Sequence, residues 1–311
     1  MNIKKESTGG GLRSLVGTRA FYKKVLLVAV PIMIQNGITN FVSLLDNIMV
    51  GQVGTEQMSG VAIANQLVFI FNLCIFGAVA GAGILGAQFY GSGNSEGVRD
   101  TFRFKLLFGV ILSAIFAVIF LTVGEPLIQQ FIHQGEGIGD LEATRSYGKA
   151  YLEVIVIGIL PFALTQCYSG TLRETGETVI PMIAGIIAVL VNLVFNYILI
   201  FGKLGAPELG CVGAAIATVL SRFVELAIVA GWTHKHVARN PFIRGALRSF
   251  KIPGSLLKQI IAIGLPLFIN ELMWSFGITF MTQCYSVRGL EVVAAFNIAN
   301  TISNVFNVGF L

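Results

Sequence analysis

A few polar side chains in this 311-residue sequence stand inside apolar runs, and their types and spacing suit the handling of a cation. Asp46 lies in Ser43-Leu-Leu-Asp46-Asn47-Ile-Met. A carboxylate within hydrocarbon is costly unless it is paired, solvated or protonated, so such a residue is by default an ion or proton site. The alternative is an interfacial aspartate near the outer end of a helix. Asn192 and Asn196 are one helical turn apart on one face. Their amides could complete oxygen coordination around a cation with Asp46, or act only as interhelical glue. Glu271 follows Pro266 in Gly-Leu-Pro266-Leu-Phe-Ile-Asn270-Glu271 and either faces a cavity or partners a neighbouring helix. Arg222 and Glu225 are spaced to pair along a helix, which reads as mainly structural.

Patterns for soluble chemistry are weak by comparison. Gly81-Ala-Gly83-Ile-Leu-Gly86 spells GxGxxG, but no strand precedes it and its surroundings are apolar, so helix packing is the better reading. Nothing matches GxxxxGK[ST], the phosphate loop of nucleotide-driven motors. His133, His234 and His236 fall in expected loops, without the carboxylate or cysteine cluster that would complete a metal site. Cys74, Cys167, Cys211 and Cys284 lie in apolar runs without CxxC spacing and read as small packing residues.

The elements that must carry these groups follow from composition. Hydrophobic residues make up 55% of the chain, charged residues 12%, and the mean hydropathy is +0.79. A soluble domain carries about 25% charge. Roughly 20 apolar residues of helix cross a hydrocarbon core of about 30 Å. Runs of that length predict helices near 25–49, 58–89, 104–123, 150–170, 178–201, 211–231, 257–284 and 292–311. The fold class is therefore all-α, a polytopic transmembrane helical bundle. The last run stops at Val308-Gly309-Phe310-Leu311, which reads as a sequence fragment. In a fragment, Asn297, Asn300 and Asn304 are expected to face lipid unsatisfied.

Basic residues orient the bundle. With the N-terminus in the cytoplasm, sixteen Lys and Arg fall on that side, among them Arg99, Arg103, Lys105, Arg173 and the six from Lys235 to Lys258. Four, namely Arg145, Lys149, Lys203 and Arg288, fall on the other, and Arg222 lies within a span. This positive-inside bias accounts for the net charge of +5 without nucleic acid. The first 24 residues are polar and basic, and the run that follows is too long for a cleavable signal, so it is expected to remain as the first span.

An internal repeat organises the chain. At a constant shift of 235 residues, Pro31, Phe41, Gly54, Glu56, Ile63-Ala-Asn65 and Phe71-Asn72 meet Pro266, Phe276, Gly289, Glu291, Ile298-Ala-Asn300 and Phe306-Asn307. Apolar helices often match by chance, but ungapped proline and polar matches do not. Six crossings separate the copies, which makes the repeat parallel. The expected organisation is a cytoplasmic arm over 1–24, a six-helix N-lobe over 25–231, a cytoplasmic linker over 232–256 and the first two helices of a C-lobe over 257–311. About four further spans would complete the second copy.

Taken together, Pro31 with Leu45-Asp46-Asn47-Ile-Met-Val-Gly51, the Gly54-Thr-Glu56 turn, Gly91-Ser-Gly93-Asn94, Leu172-Arg173-Glu-Thr-Gly176 and Asn192-x3-Asn196-Tyr-Ile-Leu-Ile-Phe-Gly202 resemble the multidrug and toxic compound extrusion (MATE) family. The likeness runs from about residue 20 to the end. It implies twelve helices in two six-helix lobes, and antiport of organic cations and other drugs against protons or sodium. It implies a coupling role for Asp46 with Asn192 and Asn196 beside it, where a proton or Na+ would sit. It also implies a substrate cavity at Glu271, to which Asn270 and Gln35 are assigned, and helix hinges at Pro31 and Pro266. Asn196 stands where some members carry an aspartate. The expectations are a monomeric transporter of the cell membrane, not an enzyme, with no cofactor beyond the coupling ion. A lipid-linked precursor flippase of the same superfamily and a polytopic membrane enzyme are the alternatives.

Overall fold

The structure, a computed structural model, describes residues 18–132 and 140–307. Arm residues 1–17, His133 and the terminal Val308–Leu311 lie outside the described residues. Among the described residues, eight long helices follow one another: α1 Arg19–Gly51, α2 Thr55–Gly91, α3 Ser95–Gln129, α4 Leu141–Glu174, α5 Val179–Ile200, α6 Gly210–Lys235, α7 Gly254–Ser286 and α8 Leu290–Asn307. Short 3-10 turns occupy Lys203–Gly205 and Pro241–Ile243. Helices α2 to α7 each have the length and hydropathy to cross a bilayer. The protein is an all-α, multi-pass membrane protein.

Most helices overrun the apolar stretches that announce them, because their caps lie in polar sequence beyond. Asn94 caps α3 by accepting from the Gly97 amide at 2.9 Å, so the helix opens at Ser95, nine residues before the apolar run near 104. Asp140 caps α4, accepting from the Glu142 and Ala143 amides at 3.0 Å each. Three placements change as a result. Lys105, counted among the basic residues of the cytoplasmic side, sits well inside α3 and is fully buried. Arg173 belongs to the last turn of α4. His234 lies in the last turn of α6, with its ring 3.0 Å from the Tyr168 hydroxyl, and His236 follows as that helix's C-cap. The linker is ordered rather than loose. Phe242 and Ile243 are buried, and Arg103 donates to the carbonyls of Gly245 and Ala246.

Helix α2 is the central post, flanked by α3, α4, α7 and α8, while α5 packs on α6 and α1. Phe71, Ile63 and Ile75 of α2 meet Ile155 and Ile159 of α4 in the main core. Glycines set the closest approaches. A Cβ at Gly60 would collide with the Thr144 carbonyl at 2.7 Å, and one at Gly81 would strike the Gly264 backbone. Gly54 and Gly289, paired by the internal repeat, both open a turn with positive φ, 148° and 112°, where side chains are rarely tolerated. Three cysteines are buried and Cys284 is exposed, so it does not serve as a core packing residue.

The path of the chain predicts sidedness. In a cysteine-free background, Ser95→Cys and Arg248→Cys should react with an impermeant maleimide from one face of sealed vesicles. Leu204→Cys, on the α5–α6 connection and 88% exposed, should react only from the other. Labelling of all three from one face would contradict the order of crossings.

Candidate functional site

Asp46 sits five residues before the end of α1, and α1 leans on α5 at that level. Helix periodicity turns Asn192 and Asn196 of α5 toward it, and both are buried. Asn196 Nδ2 donates to Asp46 Oδ1 at 2.6 Å. Two orientations of the Asn192 amide fit the space. In one, its oxygen accepts from Asn196 Nδ2 at 3.1 Å and its nitrogen donates to Thr218 Oγ1 at 3.2 Å. In the other, its nitrogen donates to Asp46 Oδ2 at 3.0 Å and Oδ1 at 3.1 Å, and its oxygen accepts from the Thr218 hydroxyl at 3.2 Å. The second better serves an ionised Asp46, because a carboxylate can only accept. Asn196 Oδ1 is buried without a hydrogen-bond partner. Asp46, Asn192 and Asn196 thus form one cluster, and Thr218 of α6 joins it. Sequence reasoning passed over Thr218, because threonine is common in membrane helices and carries no mark of a site.

The cluster can do two things. It can stabilise a bare carboxylate with amide donors. It also gathers carboxylate, amide and hydroxyl oxygens in one cluster, donor types that suit a hard cation. Among the described residues, no group of three or more His, Cys, Asp or Glu is placed to hold a metal ion.

The cavity candidates are not gathered on one wall. Gln35 accepts from Arg173 Nη2 at 2.9 Å and lies against Gly185, tied among α1, α4 and α5. Glu271 is half-buried on α7 against Gly77 of α2, while its neighbour Asn270 is exposed. Pro31 and Pro266 both lie inside unbroken helices. Each removes one backbone donor, which leaves its helix a place to bend.

Two expectations about polar partners are corrected. Arg222 and Glu225 form no ion pair within 4 Å among the described residues. The Arg222 guanidinium instead lies over the Phe162 ring at 5.1 Å, and its Nη1 is buried without a hydrogen bond. Asn297 is not left facing lipid, for its Nδ2 donates to Asn47 Oδ1 at 3.0 Å and fastens α8 to α1 beside Asp46.

A second polar centre was missed. Lys105 Nζ donates to both carboxylate oxygens of Glu174 at 2.5 Å and to Thr171 Oγ1 at 3.2 Å. The Glu174 carboxylate lies directly over Gly83 and Gly86, where any Cβ would collide with it. The GxGxxG spacing therefore clears room for a helix backbone at Gly81 and for a carboxylate at Gly83 and Gly86. Flanking phenylalanine and leucine around Lys105 were the signal that could have revealed it.

The MatE family model matches residues 31–198, which include Asp46, Asn192 and Asn196. The "Probable multidrug resistance protein NorM" of Thermotoga maritima is 30% identical over 286 residues, covering 91% of this chain and 59% of that protein. The "Multidrug resistance protein MdtK" of Edwardsiella ictaluri is 26% identical, covering 92% and 61%. The chain thus spans about three-fifths of the length of these curated relatives. A solved structure described as the "inward-facing conformation of a multidrug resistance MATE family transporter of the MOP superfamily" superposes with a TM-score of 0.75 at 25% identity. It covers 93% of this chain and 63% of the other. The family model takes in more than half of the sequence, and the eight-helix fold agrees with it: the chain belongs to the MATE family of transporters.

Proposed function

We propose that this chain forms the ion-coupling part of a secondary active exporter that expels drugs and organic cations, driven by a proton or sodium gradient. The observation that carries the reading is Asp46 held by Asn192 and Asn196, with Thr218 behind them. Interhelical hydrogen bonds in membranes contribute about 0.6 kcal/mol each. A charged aspartate at the centre of a spanning helix costs about 2.5–3.5 kcal/mol, less toward its ends. Asn192 and Asn196 offset part of that cost, and a proton or a cation removes what remains. Neutralisation then changes the relative stability of the outward-open and inward-open forms, and that change drives exchange. The relatives named as multidrug resistance proteins support the substrate class.

In this reading the N-terminus and the linker face the cytoplasm, as the distribution of Lys and Arg indicates. The transporter acts as a monomer in the cell membrane. Asn192 serves both states of the site, since one amide offers a nitrogen to a bare carboxylate or an oxygen to a cation. Pro31 and Pro266 provide the bending points, and Glu271 and Asn270 line the drug path.

The test is flux. Expressed from its natural reading frame and reconstituted into liposomes, the protein should move ethidium against its gradient when a proton or sodium gradient is imposed. Movement should stop when both ion gradients are collapsed. Ethidium flux indifferent to both gradients would overturn the proposal.

A further inference from the structure

We infer that the crevice between α3 and α7 binds one anionic phospholipid, with an acyl chain between the helices and its headgroup phosphate at Lys251 and Lys258. The crevice, about 170 Å³, is walled by Phe104 and Phe108 of α3 and by Ile261, Leu265 and Phe268 of α7, with Ala78 of α2 at its floor. Phe104 and Phe108 stack at 5.8 Å, and Phe108 meets Phe268 edge-on at 6.1 Å. Among the described residues, no polar side chain lines it. Ile261 and Leu265 remain about half exposed at its lip. Such a slot accepts a hydrocarbon chain without stranding a polar group.

Its open end carries the opposite chemistry. Ile252 and Phe104 pack on the same small cluster, formed by Leu256, Ile260, Ala82 and Leu85, which joins the crevice to a second cavity of about 390 Å³. Arg99, Arg103, Lys251, Glu96 and Asp100 border that cavity. Arg103 is engaged by Asp100 at 2.9 Å and by two carbonyls. Arg99 only approaches Glu96, at 4.0 Å, and its Nε is buried without a hydrogen-bond partner. Lys251 and Lys258 are exposed and make no ion pair among the described residues. Lys258, Ile261 and Leu265 follow one another down one face of α7, so one molecule can touch ammonium and slot together.

The dimensions match one leaflet. From Lys258 to Phe268, α7 rises about 15 Å, half of a hydrocarbon core of about 30 Å. The basic groups lie at the level of the α2–α3 and α6–α7 connections, where headgroups of that leaflet reside. Free basic groups at that level attract anionic lipid, and the slot beneath distinguishes this place from a diffuse surface charge.

The experiment uses a tryptophan reporter. Trp232 and Trp274, the two tryptophans of the chain, are replaced by phenylalanine, and Leu265→Trp supplies the probe. A control probe, Ile183→Trp, sits at an exposed position of α5, away from the crevice. Each protein is reconstituted in phosphatidylcholine vesicles containing increasing fractions of acyl-brominated phosphatidylglycerol or acyl-brominated phosphatidylcholine. At Leu265→Trp, brominated phosphatidylglycerol should quench at a markedly lower mole fraction than brominated phosphatidylcholine. At Ile183→Trp the two lipids should quench alike. Lys251→Gln and Lys258→Gln should each reduce the preference by about fivefold, the effect of about 1 kcal/mol per surface basic group. Equal quenching by the two lipids at Leu265→Trp, the same preference at both probes, or a preference unchanged in the double glutamine variant would each overturn the assignment.

Discussion

Asp46→Asn is expected to abolish gradient-driven export in the proposed exporter while leaving the protein folded in the membrane and able to bind drug. The substitution keeps the shape of the side chain and removes the one group in the α1–α5–α6 cluster that can change charge. An amide in its place still hydrogen-bonds to Asn196, so packing of α1 on α5 is preserved. What disappears is the difference in free energy between the empty and the occupied site. An ion that binds both conformations equally shifts neither, and exchange loses its driving force. The measurement is ethidium efflux from proteoliposomes under an imposed proton or sodium gradient, with equilibrium ethidium binding to the same detergent-purified sample. Export at the parental rate would reduce Asp46 to a structural residue and move the coupling role to another acid, Glu271 first. Asn192→Ala acts on the same cluster more mildly, since Asn196 and Thr218 remain to support the carboxylate.

Lys105→Met lowers stability by about 3–5 kcal/mol, the cost of leaving one member of a buried ion pair without its partner. The Lys105 side chain has no exposure, and the Glu174 side chain has 13%. Without Lys105, the carboxylate is left against α2 at Gly83 and Gly86, with Thr101 nearby and no other ion-pair partner among the described residues. The variant should therefore unfold at lower temperature in detergent, and raising the proton concentration should recover part of the loss. A carboxylate deprived of its cation is less costly when neutral, so stability should rise as pH falls. The double variant Lys105→Met with Glu174→Met should regain most of the parental stability, because paired removal leaves no unmatched charge. Single and double variants of equal stability would mean that water already reaches the pair.

The sequence by itself determined the class and, among the described residues, the succession of helices. A bilayer admits only segments whose backbone groups are satisfied internally, so every span must announce itself as an apolar run. Asp46, Asn192 and Asn196 were visible for the complementary reason: polar residues in such runs are few, and each one needs a purpose. Helix ends were less legible. Asn94 and Asp140 cap their helices in polar stretches that hydropathy reads as loop, and α6 likewise runs past its apolar stretch to take in His234.

Only the tertiary structure decided partners. Asp46 and Asn196 are 150 residues apart, and nothing local states which face of α1 meets which face of α5. Arg222 illustrates the same limit. Its spacing to Glu225 satisfied the rule for a helical pair, yet packing placed the guanidinium over Phe162 on a different helix. Gln35 shares a helix with Asp46, but it points to Arg173 and Gly185. Hydropathy and spacing are properties of a single helix, whereas contact depends on rotation and depth relative to neighbours. Those are set by close approaches such as Gly60 on Gly148 and Gly81 on Gly264, where the absence of a side chain lets two backbones choose their register.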